Sequence, residues 1–264
     1  MIEVQQGGGP IVLGLPHTGT DVPEEIWERL NARGQSLADT DWHIHKLYDA
    51  LGHDVTKVRT PIHRYVVDVN RAPDDVSLYP GLNTTGLCPL TGFDGEAIYQ
   101  DGAEPTAGEI EARKAAFHTP YHAALSAELA RVKAKHGVAI LYDCHSIRSV
   151  IPYLFDGNLP DFNIGTNNSA SCALAVERSV DTRCRASLSF SSVLNGRFKG
   201  GWTTRHYGKP SGGIHAIQME LAQSTYMNET PPWTYRPDKA ERIRPVLYKI
   251  LNDLTELVHE RHVR

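Results

Sequence analysis

The sequence predicts an α/β fold in which helices cover a β-sheet, and three stretches carry that expectation. Gly137-Val138-Ala139-Ile140-Leu141-Tyr142-Asp143-Cys144-His145-Ser146 is a short apolar run that stops abruptly on a polar cluster. Its length and lack of clean polar alternation suit a strand buried on both faces. Ile11-Val12-Leu13-Gly14-Leu15, followed by Pro16-His17-Thr18-Gly19, has the same grammar. The third stretch, 239–259, carries Ile243, Val246, Leu247, Ile250, Leu251, Leu254 and Val258 at helical spacing and reads as an amphipathic helix. In such sheets ligands and catalytic groups gather just beyond the carboxyl ends of the strands. Asp143, His145 and His17 therefore arrive where chemistry is usually done.

Taken in order, Gly7-Gly8-Gly9-Pro10 leads into the strand at 11–15. Residues 23–30 read as a short helix, with Asp21 as candidate N-cap, acidic residues in the first turn and Gly34 as its end. Ala38-Asp39-Thr40-Asp41 is expected to cap a second helix over 42–51. Spacing alone leaves Asp39 and Asp41 open between capping and binding roles. The β-branched runs 54–58 and 65–69 read as strands, the second leading into Asn70-Arg71. From 74 to 105 the chain is rich in Gly, Pro, Asn and Thr, and so long an irregular stretch points to a lid or specificity loop. Ile110, Phe117, Tyr121, Leu125, Leu129 and Val132 mark a long helix over 109–135, which Pro120 should kink or divide. After the central strand come a loop (146–163), a short strand (164–166), a helix (169–181), a strand (188–194) and a glycine-rich loop (198–208). The alternating strand 214–221 delivers Glu220. Without an internal repeat or linker, residues 1–264 are expected to form a single catalytic domain.

Bulk properties narrow the function. A formal net charge of -4 and a pI near 6.3 give no reason to expect nucleic acid or an anionic membrane as partner. No apolar run approaches the roughly 20 residues of a membrane span. Met1-Ile2-Glu3-Val4-Gln5-Gln6 lacks the basic and apolar regions of a signal peptide, so a cytoplasmic location is expected. Cys88, Cys144, Cys172 and Cys184 have no Cys-x-x-Cys spacing and read as reduced thiols.

A lone histidine at a strand exit is usually a hydrogen-bonded core or cleft residue; two in the same context point towards a metal. A catalytic zinc takes three protein ligands and keeps a position for water. His17 and His145 are the first two candidates, with Asp41, Asp39, Asp21 and His43 as options for the third. Asp143 could instead orient an imidazole. Arg71 presents a fork matched to a carboxylate, although an ion pair with Asp68 or Asp74 would explain it equally. Glu220 is a candidate general base. Cys144 and His145 point to opposite faces of their strand and make no dyad.

Pro16-His17-Thr18-Gly19, Asp39-Thr40-Asp41-Trp42, Val67-Asp68-Val69-Asn70-Arg71, Asp143-Cys144-His145-Ser146 and Gln218-Met219-Glu220-Leu221 together resemble the N-formylglutamate amidohydrolase (deformylase) family. The likeness runs in order from Pro16 to Tyr226. It implies a three-layer α/β/α sandwich with a mixed, mainly parallel sheet, of the phosphorylase/hydrolase-like, zinc exopeptidase type. It also implies metal-dependent hydrolysis of N-formyl-L-glutamate to formate and L-glutamate, the last step of a histidine degradation route. One Zn2+ would be held by His17, His145 and a carboxylate. The related peptidases carry His-x-x-Glu, but here His17 is followed three residues on by Thr20, so the carboxylate is expected from elsewhere in the chain, and Asp41 is taken over Asp39. Asn70, Arg71 and Arg205 would bind the small acidic substrate, and Glu220 would be the base. Two other readings remain open at this point: an amidohydrolase for another N-acyl acidic amino acid, and a non-catalytic protein that binds acidic metabolites.

Overall fold

The computed structural model describes residues 1–78 and 80–263; Tyr79, in the expected 74–105 loop, and Arg264 lie outside the described residues. The strands are β1 (Glu3–Gln5), β2 (Ile11–Leu15), β3 (Thr56–Arg59), β4 (Ala139–Ile147), β5 (Phe162–Gly165), β6 (Ser192–Leu194) and β7 (Ile214–Ala222). They form one sheet in the order β1-β3-β2-β4-β7-β5-β6. The β1–β3 and β5–β7 pairs are antiparallel and the other pairs parallel. The helices are α1 (Glu24–Trp27), α2 (Ala32–Gln35), α3 (Ile44–Asp49), α4 (Ala107–Arg113), α5 (Thr119–His136), α6 (Leu174–Arg185), α7 (Trp202–Tyr207) and α8 (Pro237–His259).

Side chains alternate across the pleat, so each inner strand feeds two cores. Ile11, Leu13, Ile140, Tyr142, Cys144, Ile217, Met219 and Leu221 pack on one face with α3, α6 and α8. Val12, Val58, Ala139, Leu141 and Ala216 face the opposite way, towards α5 and α7. The result is the expected three-layer α/β/α sandwich with a mixed, mainly parallel sheet. Every residue of β2 and β4 is buried, which explains their unbroken apolar runs. Cys144 is sealed in the first core, so the adjacent cysteine and histidine form no dyad. Along α8, Ile243, Leu247, Ile250, Leu251 and Leu254 form the buried stripe that the sequence displays.

Several local expectations give way. Asp21 is exposed and caps nothing, since α1 follows Pro23 without a side-chain cap. Gly34 lies inside α2, where its N–H is capped by Asn31. The 42–51 helix shrinks to α3, preceded by His43 in the left-handed region with φ 61, and neither Asp39 nor Asp41 caps it. Residues 65–69 form a buried turn instead of a strand. Tyr65 N–H donates to His63 Nδ1 at 3.0 Å and Asp68 N–H to the Leu87 carbonyl at 2.7 Å. The valines there are apolar because they are buried, not because they pair in a ladder. Asn167, Asn168 and Ser169 have positive φ and turn the chain, so α6 begins only at Leu174. Residues 202–207 of the expected glycine-rich loop form α7, with Gly201 as its N-cap.

The long helix is divided, as Pro120 suggests, but by widening and not by a break. A π turn, Lys114–His118, joins α4 to α5, and Thr119 N–H reaches the Lys114 carbonyl five residues back. Pro120 has no N–H for the carbonyl four residues behind it, and the wider turn accommodates that loss.

On α5, burial pushes the His122 imidazole down to about 3, with His118 nearby adding to the effect. An unfolded imidazole titrates near ~6.5. Between these values the unfolded chain binds a proton that the folded protein refuses. This contribution is fully present above about pH 7 and is lost on acidification, by at most about 1.4 kcal/mol per pH unit. Thermal unfolding between neutral and mildly acid pH should therefore show a smaller loss for His122→Gln than for the wild type. Equal losses would remove His122 from the account.

Candidate metal centre and active site

The exits of the central strands build the site. β4 and β7 run in parallel register with His145 opposite Glu220, and Gly14 near the end of β2 lies opposite Asp143. His17 follows two residues after β2. Asp41 comes from the turn ahead of α3, where its N–H donates to the His17 carbonyl at 3.0 Å.

Three ligand atoms converge here. His17 Nδ1 and His145 Nδ1 are 3.1 Å apart, and Asp41 Oδ2 lies 3.7 Å from the first and 3.3 Å from the second. All three residues are buried. Outer partners fix the rings. His17 Nε2 is 2.7 Å from Asp68 Oδ1, and His145 Nε2 is 3.2 Å from Asp143 Oδ1. Asp68 accepts, so it draws the His17 ring proton to Nε2 and leaves that Nδ1 lone pair facing Asp41; at His145 the Nε2 neighbour within hydrogen-bond reach is Asn70 Nδ2 at 3.2 Å, and Asp143 Oδ1 adds charge without a hydrogen bond. Two imidazole nitrogens and a carboxylate crowded at this spacing are stabilised by a positive charge between them. Among the described residues Asp41 Oδ1 has no hydrogen-bond partner, with Arg64 Nη1 3.6 Å away. The donor set, two imidazoles and one carboxylate, fits a catalytic zinc-type site that keeps an open position.

The electrostatics agree. Burial opposes a charge on His145, yet Asp143, Asp41 and Glu220 hold its pKa well above the ordinary imidazole range. Burial likewise opposes a charge on Asp68, but His17, Arg64 and Arg71 hold its carboxyl well below the usual range. For Asp41 too, burial is overcome by His145, His17 and Arg64, and the pKa is lowered. Glu220 behaves differently. Its burial raises its pKa to about 7, with Asp41 and Asp143 adding to the rise and His145 and Arg64 opposing it. A carboxylate poised there can take and return a proton near neutral pH.

A cleft of about 620 Å³, open mouth included, connects these groups. His17, Asp41, His145, Asn70, Arg71 and Glu220 all line it. Arg205 is absent from that wall; its Nε donates to the Gly200 carbonyl at 2.9 Å. Asp39 serves another purpose, accepting from Tyr65 Oη (2.7 Å), Phe93 N–H (2.7 Å) and Arg148 Nη2 (3.1 Å). His43 Nε2 donates to the Trp233 carbonyl at 2.6 Å. Arg71 combines both sequence readings: its Nε is 3.7 Å from Asp68 Oδ2 and its side chain lines the cleft. Gly201 is required by close approach, because a Cβ there would meet Asn70 Nδ2 at 2.3 Å.

Arg64, Arg197, Asn83, Thr84 and Thr85 also line the cleft. Arg64 packs over the Phe93 ring, 4.7 Å from its centroid, and donates to Asp68 Oδ2 at 3.0 Å. Asn83, Thr84 and Thr85 belong to the 74–105 stretch expected to be a lid or specificity loop, whereas Arg64 and Arg197 lie in irregular segments without periodic or motif signals. Asp68 did carry one, its place two residues before Asn70, but only as an ion-pair partner.

A sandwich fold that gathers buried acids, imidazoles and guanidinium groups at its strand exits is the framework of a hydrolytic enzyme with a candidate metal centre. The chain belongs to the N-formylglutamate amidohydrolase family, whose model matches residues 9–227. It is similar to the N-formylglutamate deformylase of Pseudomonas aeruginosa, at 46% identity over 263 residues, covering 99% of this chain and 98% of that protein. The N-formylglutamate deformylase of Pseudomonas putida is 45% identical over 265 residues, 100% of this chain and 99% of that protein. Among solved structures, N-formylglutamate amidohydrolase from Ralstonia eutropha JMP134 superposes with a TM-score of 0.83 at 20% identity, covering 98% of each chain. At that identity the superposition speaks for the fold. Among the described residues, no helix is long and apolar enough to cross a membrane.

Proposed function

We propose that this cleft hydrolyses N-formyl-L-glutamate to formate and L-glutamate, with one Zn2+ held by His17, Asp41 and His145. The convergence of those three ligand atoms beside buried Glu220, in a cleft that also presents Arg71 and Arg197, carries the reading. The bound ion supplies Lewis-acid polarisation and an acidified water. Glu220 takes the proton from the attacking water and returns it to the amine of the departing glutamate. Asp68 keeps His17 in its binding tautomer, and Asp143 lies 3.2 Å from His145 Nε2 as a neighbouring charge. Arg64 faces Asp41 and Asp68, where it balances their charge and can donate to a developing oxyanion.

The substrate has two carboxylates, and the cleft offers two further guanidinium groups for them. Arg71 is braced by Thr85 Oγ1 at 3.2 Å, and Arg197 donates to the Asn83 and Leu154 carbonyls at 3.0 Å each. Phe93, Ile147, Leu154 and Phe198 form the apolar part of the wall and exclude water around the reacting amide. Within 74–105 the reading favours a specificity segment, since Asn83, Thr84, Thr85 and Phe93 line the cleft while Leu87, Cys88, Ile98 and Tyr99 anchor the stretch in buried positions. All four cysteines are buried and unpaired, which suits a reducing, cytoplasmic setting for this single catalytic domain.

Formate release from N-formyl-L-glutamate and N-formyl-L-glutamine tests the two-arginine reading. Loss of one charge-assisted pair should lower kcat/KM for the glutamine analogue by about 10²-fold. Equal rates would overturn recognition of the side-chain carboxylate. No formate from either compound, in protein loaded with zinc, would overturn the activity itself.

A further inference from the structure

We propose that His118 and His122, together with Arg113, are positioning residues that clamp the 66–71 segment and so aim Asp68, Asn70 and Arg71 into the cleft. The inference rests on the functional reading above and adds a part that no sequence motif contains.

The segment lacks a strand partner, so its carbonyls must find donors elsewhere. One continuous helical stretch supplies three of them, while the Asp68 carbonyl accepts from Arg71 N–H within the segment. Arg113 Nη1 donates to the Val66 carbonyl at 3.3 Å, His122 Nε2 to the Val69 carbonyl at 2.7 Å, and His118 Nε2 to the Arg71 carbonyl at 3.0 Å. The two histidine bonds bracket Asn70. Its side chain accepts from Thr203 N–H at 2.9 Å and lies with Nδ2 3.2 Å from His145 Nε2. Asp68 and Arg71, on either side, meet His17 and the cleft. The clamp therefore acts on backbone, while Asp68, Asn70 and Arg71 work in the site and the segment's valines are buried.

The π turn makes the alignment possible. Arg113 and His118 are five residues apart, which in an unbroken α-helix is about 140° around the axis. The i→i+5 spacing of the π turn brings them towards one face, and His122 follows one α turn later. A carbonyl only accepts, so both imidazoles carry their proton on Nε2. His122 Nδ1 is then left to face the Tyr207 hydroxyl at 3.1 Å, and Trp202 packs against both rings.

The test compares His118→Ala and His122→Ala with His118→Gln and His122→Gln, because glutamine carries a donor at similar reach. KM and kcat for N-formyl-L-glutamate, zinc per chain and calorimetric binding of L-glutamate are measured in each zinc-loaded variant. The alanine variants should raise KM and weaken glutamate binding about 10-fold or more, with a smaller change in kcat. The glutamine variants should recover most of that loss. Unchanged KM in the alanine variants, or equal damage in both series, would overturn the clamp. Imidazole nitrogen spectra of the wild type at neutral pH give an answer independent of activity. The Nε2–H tautomer is expected at both histidines, and an Nδ1–H tautomer at either overturns the assignment. If wild-type protein releases no formate while these tautomers are found, the functional reading fails and the clamp geometry stands.

Discussion

Glu220→Gln should lower kcat by about 10²–10⁴-fold while leaving zinc content and KM close to wild type. The substitution keeps shape and removes only the ability to hold and release a proton. β7 fixes the side chain opposite His145, and Gln218 Nε2 donates to Glu220 Oε2 at 3.1 Å. Burial and the neighbouring carboxylates raise its pKa to about 7, so proton uptake near neutrality needs little further driving force. Steady-state turnover and elemental analysis on the same preparation check this. Near-wild-type turnover would transfer the proton-handling role to another group and undo the mechanism.

Asp41→Asn should empty the centre. Its Oδ2 faces both Nδ1 atoms and accepts from Ser146 N–H at 3.1 Å, so an amide oriented by that bond would keep the fold of the turn. What disappears is the negative charge. With two neutral imidazoles left, zinc occupancy should fall at least about 10-fold and formate release should fall with it. Chelation of wild-type protein should have the same effect on activity and should lower the melting temperature, because an ion bound only by the folded state stabilises it. Zinc added back should restore the chelated wild type far more readily than the variant. An Asp41→Asn protein with full zinc and full activity would mean that another side chain supplies the carboxylate.

The layers of this protein are legible in its sequence because burial leaves simple traces. β2 and β4 are apolar throughout since both faces are covered, and α8 wears its stripe since one face is. Leaving 65–69 as an expected strand shows the limit of that signal. Val66, Val67 and Val69 are chosen for burial, and β-branched residues at a buried turn look like those in a ladder. The site was legible where strands end on polar residues, at His17, His145 and Glu220. The departure from His-x-x-Glu shows only that the carboxylate comes from elsewhere; no local pattern separates Asp41 from Asp39, which in the fold accepts from Tyr65, Phe93 and Arg148. Arg64 and Arg197 reach the cleft through the path of irregular backbone, which no local pattern encodes.

The pairing of His145 with Glu220 across β4 and β7 has an evolutionary consequence. A hydrogen-bonded ladder in the middle of the sheet sets the spacing of the proposed ligand and the proposed base, and few substitutions can alter it without dismantling the core. Asn83, Thr84, Thr85, Arg197 and Phe198 belong to connecting segments, where insertions and exchanges are tolerated far better. The bond-breaking apparatus is thus insulated from the parts that choose what is broken. Descendants of such a chain can acquire new acyl amino acids by redrawing the rim alone, and inherit the chemistry unchanged.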